Sequence, residues 1–336
     1  MTIDCSFAQF GEDASRCDAG GRYRGLPELN EQFDIVVVGG GIAGLTAGLG
    51  AARLGCKTLV LAGDVLGGLL LSIEKIDGVP GFPDGVPGYD LCPMAQEQAT
   101  AAGAQVVAAR LDQLAPANGR WRLSTGEGET TAGAVILATG AQLKPLGLPA
   151  EQRLLGRGVS QCASCDAPLV RKRTVAVVGG GDSALQEALT LAEHAERVIV
   201  LHRGKALSAQ AAYVDRVRAH ARIELRFATV VEDILGDDRL TGLRIRDLES
   251  GATGVLDAAA LFVYIGLEPA TTYLRGQLAL DPTSRIPTDA RMRTQLPGIL
   301  AAGIVRSGSP GRAVGAAGEG AAAAVAAHAF LSDGDW

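Results

Sequence analysis

The chain has 336 residues, room for two domains of ordinary size. Apolar residues make up 47% and aromatic residues only 4%, which favours an α/β core of Ala, Val, Leu and Ile; the 45 glycines are spread along the chain and do not indicate disorder. The formal net charge of −6 argues against a nucleic-acid or anionic-membrane surface.

Residues 1–33 read as a polar, glycine-rich extension carrying Cys5 and Cys17. With no basic start and no apolar h-region, no signal peptide is expected. No apolar run is expected to span a bilayer either. A reducing cytoplasm is the compartment that fits. There, six cysteines are free, redox-active or metal-binding rather than a structural framework. No second CxxC and no His cluster completes a zinc set.

At Phe33 the pattern changes. "FDIVVVGGGIAGLTAGLGAARLG" predicts a buried parallel strand, a tight glycine turn and a helix, and "CKTLVLAG" the next strand. "AGAVILATGAQLKPLGLP" predicts a strand and a Pro-rich crossover. "TVAVVGGGDSALQEALTLAEHAERVIVLHRG" then repeats strand, glycine turn, helix and strand about 140 residues later, an internal duplication of one fold unit. "LFVYIGLEPAT" predicts a second strand and crossover. "LPGILAAGIVRSGSPGRAVGAAGEGAAAAVAAHAFL" closes the chain with a strand, a loop and a small-residue helix. Periodicity alone allows two sequential domains or one inserted in the other.

Gly39, Gly41 and Gly44 fit GxGxxG, and Gly179, Gly181 and Ala184 fit GxGxxA. The first glycine permits the turn and the second lets the backbone approach a pyrophosphate. The third position needs a small residue for helix–strand packing, and the helix N-terminus favours the phosphates. Ordinary βα turns also use such glycines, but both loops follow a strand and precede a helix. Asp64 is a weak candidate for reading a ribose. The second unit has no acid there; His202, Arg203 and Lys205 suit a ribose phosphate, and hence NADP, unless they are simply solvated charges.

Six residues before that second unit stands "SQCASCDAP". Cys162 and Cys165 can close a small disulfide ring, and one thiol of such a pair is often acidic. Exchange needs a thiolate and a proton shuttle, and Asp166 is placed to be that acid/base. The alternative is a coincidental pair of buried cysteines.

Together, "VVVGGGIAG", "VPGFP", "ILATGA", "GRGVSQCASCD", "VVGGGDSA", "LFVYIGLEP" and "LPGILAAG" resemble the bacterial low-molecular-weight thioredoxin reductases, from Phe33 to about Leu331 in order. The resemblance implies an α/β fold of two Rossmann-like, three-layer ββα dinucleotide-binding domains, the second inserted in the first. Residues 34–142 and 270–336 would bind FAD. Residues 143–269 would carry the CxxC and bind a pyridine nucleotide. The motifs assign Gly39, Gly41, Gly44, Gly67, Gly68, Thr139, Gly140, Gly303, Arg312 and Ala313 to FAD. They assign Gly179, Gly181, Asp182, Ser183, Ala184, His202, Arg203 and Lys205 to NADP(H). The resemblance also implies a homodimer, with Cys165 facing the flavin, Cys162 as the interchange thiol and Asp166 as acid/base.

The chain departs from the family pattern. Ile304 replaces an aspartate that holds the flavin, Leu69 replaces a glutamine, and Arg312-Ala313 stands where "RQ" is usual. Gly204 and Ser208 replace two phosphate-binding arginines, and Ala167-Pro168 replaces a glycine after the CxxCD. These losses lean the expectation toward a relative similar to the flavin dithiol oxidases, closing a disulfide in a small molecule or peptide for natural-product biosynthesis. The alternative is an NADPH-dependent reductase of thioredoxin or a thioredoxin-like protein; a third reading is a flavin-poor paralogue without turnover.

Overall fold

The computed structural model describes residue 29 and residues 31–336. Cys5 and Cys17 lie outside the described residues. The first apolar run forms β1 (Gln32–Val38), α1 (Ile42–Arg53) and β2 (Thr58–Leu61). α2 (Gly88–Ala101) leads to β3 (Gln105–Val107) and to a meander of β4 (Leu111–Ala117), β5 (Arg120–Thr125) and β6 (Gly128–Leu137). After β7 (Ala141–Leu143) and β8 (Val159–Ser160), the short α3 (Ala163–Asp166) carries the thiol motif.

The second glycine unit is β9 (Thr174–Val178), α4 (Asp182–His194), β10 (Arg197–Leu201), α5 (Ala211–Ala219) and β11 (Ile223–Arg226). The strands β12 (Thr229–Leu235), β13 (Gly242–Asp247) and β14 (Thr253–Leu256) form a separate antiparallel sheet. β15 (Ala260–Val263), β16 (Leu267–Pro269), β17 (Ile299–Ala301) and α6 (Ala313–Asp333) complete the chain.

Two sheets carry the α/β architecture. The first runs β3-β2-β1-β6-β5-β4, with β17 also on β6; the second runs β11-β10-β9-β15-β8. The central strands are parallel and buried on both faces, which explains their unbroken Val/Ile runs. In β1, Ile35 and Val37 pack toward α1 and α6, while Phe33, Val36 and Val38 pack toward leucines of the meander. In β9, Val175 and Val177 face α4, and Ala176 and Val178 face the antiparallel sheet. Each unit thus repeats the same scheme of helices, parallel sheet and a β layer. The crossovers between the units pair with each other: Ala141–Leu143 runs antiparallel to Leu267–Pro269.

One expectation is corrected. α6 is 21 residues long and has a window of mean hydropathy 1.3, so by length and composition it could cross a membrane. Its apolarity has a local use. α6 packs along α1 with Ala323, Ala324 and Ala327 fully buried. At Gly320 a β-carbon would sit 2.1 Å from Ala43 O, so the helices touch backbone to backbone. A helix that must come this close needs small apolar residues.

Candidate active site

The first glycine loop is shaped by two contacts. Gly39 has φ +118°, and a β-carbon there would lie 2.2 Å from Ala138 O; one on Gly44 would lie 1.8 Å from Gly39 O. These glycines are required by the turn itself. Gly41, the N-cap of α1, differs: a β-carbon there would meet nothing within 4 Å. The protein does not need glycine at that point, but a pyrophosphate approaching the helix N-terminus would. The residues present therefore fit a dinucleotide.

The other residues assigned to FAD gather around this loop. Gly67, in the left-handed region, donates its N–H to Gly40 O at 2.8 Å and bridges to Gly41; Gly68 follows with φ +60°. Beneath this turn lies Cys92, its thiol pushed up to about 11 by burial. Gly303, whose β-carbon would lie 2.9 Å from Ala43 Cβ, donates its N–H to Glu319 Oε2 at 2.7 Å. Glu319 also pairs with Arg306 at 2.7 Å, an ion pair that is nearly buried. Thr139 Oγ1 donates to Ala270 O at 2.8 Å, and Gly140 O accepts from Ala270 N, so both sit where the crossovers meet. Ile304 directs Cδ1 toward Gly311, 3.1 Å from where a β-carbon would stand. Ala313 opens α6, and Arg312 precedes it as N-cap. The Arg312 guanidinium leaves this cluster and pairs with Asp182 of the second unit.

The second loop repeats the construction. Gly179 has φ +150° and a β-carbon there would strike Tyr264 O at 2.3 Å, while Gly181 has open space out to Ser208 Oγ at 3.7 Å. Ala184 is fully buried at the helix–sheet contact. Asp182 and Ser183 open α4, and Asp182 accepts from Gln210 N at 2.7 Å and from Arg312. The three basic candidates separate. His202 lies half-buried with its ring over Gly180 and its Nε2 3.0 Å from Ala206 O. Lys205 pairs with Glu249 at 2.7 Å on the surface. Arg203 is exposed, with no acidic partner among the described residues. The two missing arginines have local reasons: Gly204 lies under the His202 ring, and Ser208 N and Oγ clip to Gly180 O at 2.8 and 3.3 Å.

Cys162 and Cys165 are joined as a disulfide. Cys162 is the N-cap of α3, and its Sγ accepts the Cys165 N–H at 3.2 Å. An amide hydrogen aimed at that sulfur favours its thiolate once the bond opens. Asp166 ends the helix one residue past Cys165, with its N–H on Cys162 O at 3.2 Å. Ala167 has ordinary helical backbone angles and is buried, so this turn does not demand the family's glycine.

The disulfide helix rests against the first unit. Ser164 Oγ donates to Ser72 O at 2.8 Å, and Cys162 Sγ lies 3.9 Å from the same oxygen. Ser72 ends the short 3-10 turn that begins at Gly68, so the thiol pair and the first glycine loop share one short segment. Further along the seam, Gln186 donates to Lys75 O, and Tyr213 Oη and Arg216 approach Asp77 at 3.5 and 3.6 Å. Sequence reasoning missed Ser72, Ser164, Gln186, Tyr213 and the buried pair Glu187 and Tyr264 behind α3. Only Glu187 left a signal, as an acid on the apolar stripe of α4.

Comparison with known proteins agrees with this construction. The family model for pyridine nucleotide-disulphide oxidoreductases matches residues 33–320. A thioredoxin reductase of Streptomyces coelicolor is 38% identical over 308 residues, covering 90% of this chain and 95% of that protein. A thioredoxin reductase of Treponema pallidum is 36% identical over 303 residues, covering 90% and 98%. The crystal structure of Lactococcus lactis thioredoxin reductase superposes with a TM-score of 0.86 at 32% identity, covering 89% and 99%. That family works with FAD and NADPH, the two dinucleotides the glycine loops would hold. The chain belongs to the pyridine nucleotide-disulphide oxidoreductases, among the low-molecular-weight thioredoxin reductases, and is a flavin-dependent disulfide oxidoreductase.

Proposed function

We propose that this enzyme is an NADPH-dependent reductase of a thioredoxin-like protein disulfide. The observation that carries the reading is the full-length likeness to thioredoxin reductases, with the CxxC and both glycine loops in place. This favours the reductase over the dithiol oxidase. The departures that suggested an oxidase have partial explanations in local packing, at Ala167, Gly204 and Ser208. Exposed Arg203 supports a ribose phosphate, because a free guanidinium can pair bidentately with it. The division into 34–142 with 270–336 and 143–269 belongs to the same reading, and the paired crossovers at Ala141–Leu143 and Leu267–Pro269 support it.

Bound FAD would supply the two-electron redox chemistry that links a nicotinamide to the thiol pair. The chain's own residues do the rest. Ser164 and Ser72 hold the disulfide beside the Gly67-Gly68 turn. Cys162, half-buried in this seam, is the sulfur with an amide hydrogen bond, so it is the better thiolate to attack a partner disulfide. Attack on a protein outside requires the seam to open. Asp166 is positioned to move the proton that accompanies exchange.

The test is anaerobic mixing of the flavin-loaded enzyme with NADPH while flavin absorbance is followed. A thioredoxin-like disulfide protein is then added. Bleaching followed by recovery is expected. A sample that dithiol bleaches but NADPH does not would sink the reductase reading and favour the oxidase.

A further inference from the structure

Behind the disulfide lies an acid that none of the steps above uses. Glu187 sits on α4 in line with Ala184, Ala188 and Leu191, all fully buried, and is itself only 5% exposed. Its Oε2 is buried with no hydrogen-bond partner. The carboxyl faces the N–H of Ala163, the residue directly after Cys162, and that same N–H donates to Tyr264 Oη at 3.2 Å. One backbone hydrogen next to the reactive sulfur is thus set between a phenol and a carboxyl.

The charge that acts on Glu187 is unfavourable to a second anion. The facing segment of the first unit presents Glu74 to it, and Tyr264, just past the end of β15, feels both Glu187 and Asp166 of α3. α5 turns Tyr213 and Arg216 to Asp77 instead, and on β10 and β11 Arg197 and Arg226 are paired with Glu224. Among the described residues no cation pairs with Glu187. Burial, opposed by the Ala163 N–H and aided by Glu74, pushes the carboxyl up to about 7, where a nearby charge would decide whether it ionises.

We propose that Glu187 is a redox-linked positioning acid of the thiol pair: it keeps its proton while one of the two sulfurs is a thiolate and releases it when the disulfide closes. On reduction the S–S bond takes up two electrons and one proton, giving one thiol and one thiolate. Above neutral pH a second proton is bound by Glu187. Closing the disulfide returns both protons to solvent and both electrons to the acceptor. Neutral Glu187 spares the thiolate a second buried negative charge and leaves the Ala163 N–H to Tyr264. The proposal rests on the redox-active pair of the preceding reading, but on neither its nucleotide nor its partner.

The experiment equilibrates the FAD-loaded enzyme with mixtures of reduced and oxidised dithiothreitol from about pH 6 to 9 and counts enzyme thiols by alkylation. Wild type is compared with Glu187→Gln, which mimics the neutral acid. Relative to the variant, the wild-type equilibrium should shift toward the disulfide by up to about tenfold per pH unit above pH 7. Parallel pH curves for the two proteins would overturn the proposal. Retained flavin serves as the folding check. If the variant does not fold, the redox-difference infrared spectrum of wild type containing ¹³C-glutamate replaces it. A protonated glutamate band gained on reduction near pH 8 supports the proposal, and no such band overturns it. Failure of NADPH to bleach the same enzyme would count against the reductase reading and leave this result standing.

Discussion

Ile304 is a departure from the family's pattern whose effect on flavin affinity can be measured. It stands where the family's pattern has an aspartate, and it spends its side chain on contact with Gly311. A charged acceptor there would contribute about 1.5–3 kcal/mol, roughly ten- to a hundred-fold in affinity. We therefore expect Ile304→Asp to tighten FAD by about tenfold, read by flavin fluorescence titration of the apoprotein. An unchanged dissociation constant would mean that residue 304 does not face the flavin. Residues of this kind were legible because a motif fixes their place: Gly39 and Gly44 are dictated by backbone clashes that the pattern encodes. His202 is different: its ring lies over Gly180 with Nε2 3.0 Å from Ala206 O, and nothing in the run "VLHRG" tells a loop brace from a ligand.

At the scale of elements, the seam between α3–α5 and the first unit decides what the thiol pair can reach. It is made of single polar contacts: Ser164 with Ser72, Gln186 with Lys75, Asp182 with Arg312, and Tyr213 and Arg216 with Asp77. Such an interface is weak enough to open. The Asp182–Arg312 pair has its arginine half exposed, so it contributes about 1 kcal/mol or less. Arg312→Gln should loosen the seam and raise the rate of NADPH-dependent flavin bleaching by up to about fivefold, with a matching drop when dithiol is the reductant. Stopped-flow absorbance separates the two, and equal rates in mutant and wild type would remove this pair from the control of opening. The helices and strands of the seam were readable from their periodicity. Their mutual contact was not, because it joins residues far apart in the chain through side chains that look like ordinary surface.

For the whole molecule, two copies of one βαβ scheme were visible in the glycine loops and apolar strands, and the pairing of the crossovers followed from nothing in those patterns. The same duplication buries an acid that stability must tolerate. The carboxyl of Glu187 is raised from 4.5 to about 7 in the fold. Between those values the native state holds more protons than the unfolded chain, so stability falls as pH rises through this window. The full loss is about 3–4 kcal/mol, because each pH unit across the window is worth about 1.4 kcal/mol. Glu187→Gln carries no such charge. Relative to wild type it should be more stable at pH 8 than at pH 5, by up to that amount. A two-unit chain need not unfold in one step, so the comparison belongs to the transition that releases the CxxC-bearing unit, followed by thermal unfolding of both proteins at each pH. A stability difference that is the same at pH 5 and pH 8 would mean that Glu187 titrates in the fold as it does in the unfolded chain and is already ionised at neutral pH, and the proton assigned to it would have to come from elsewhere.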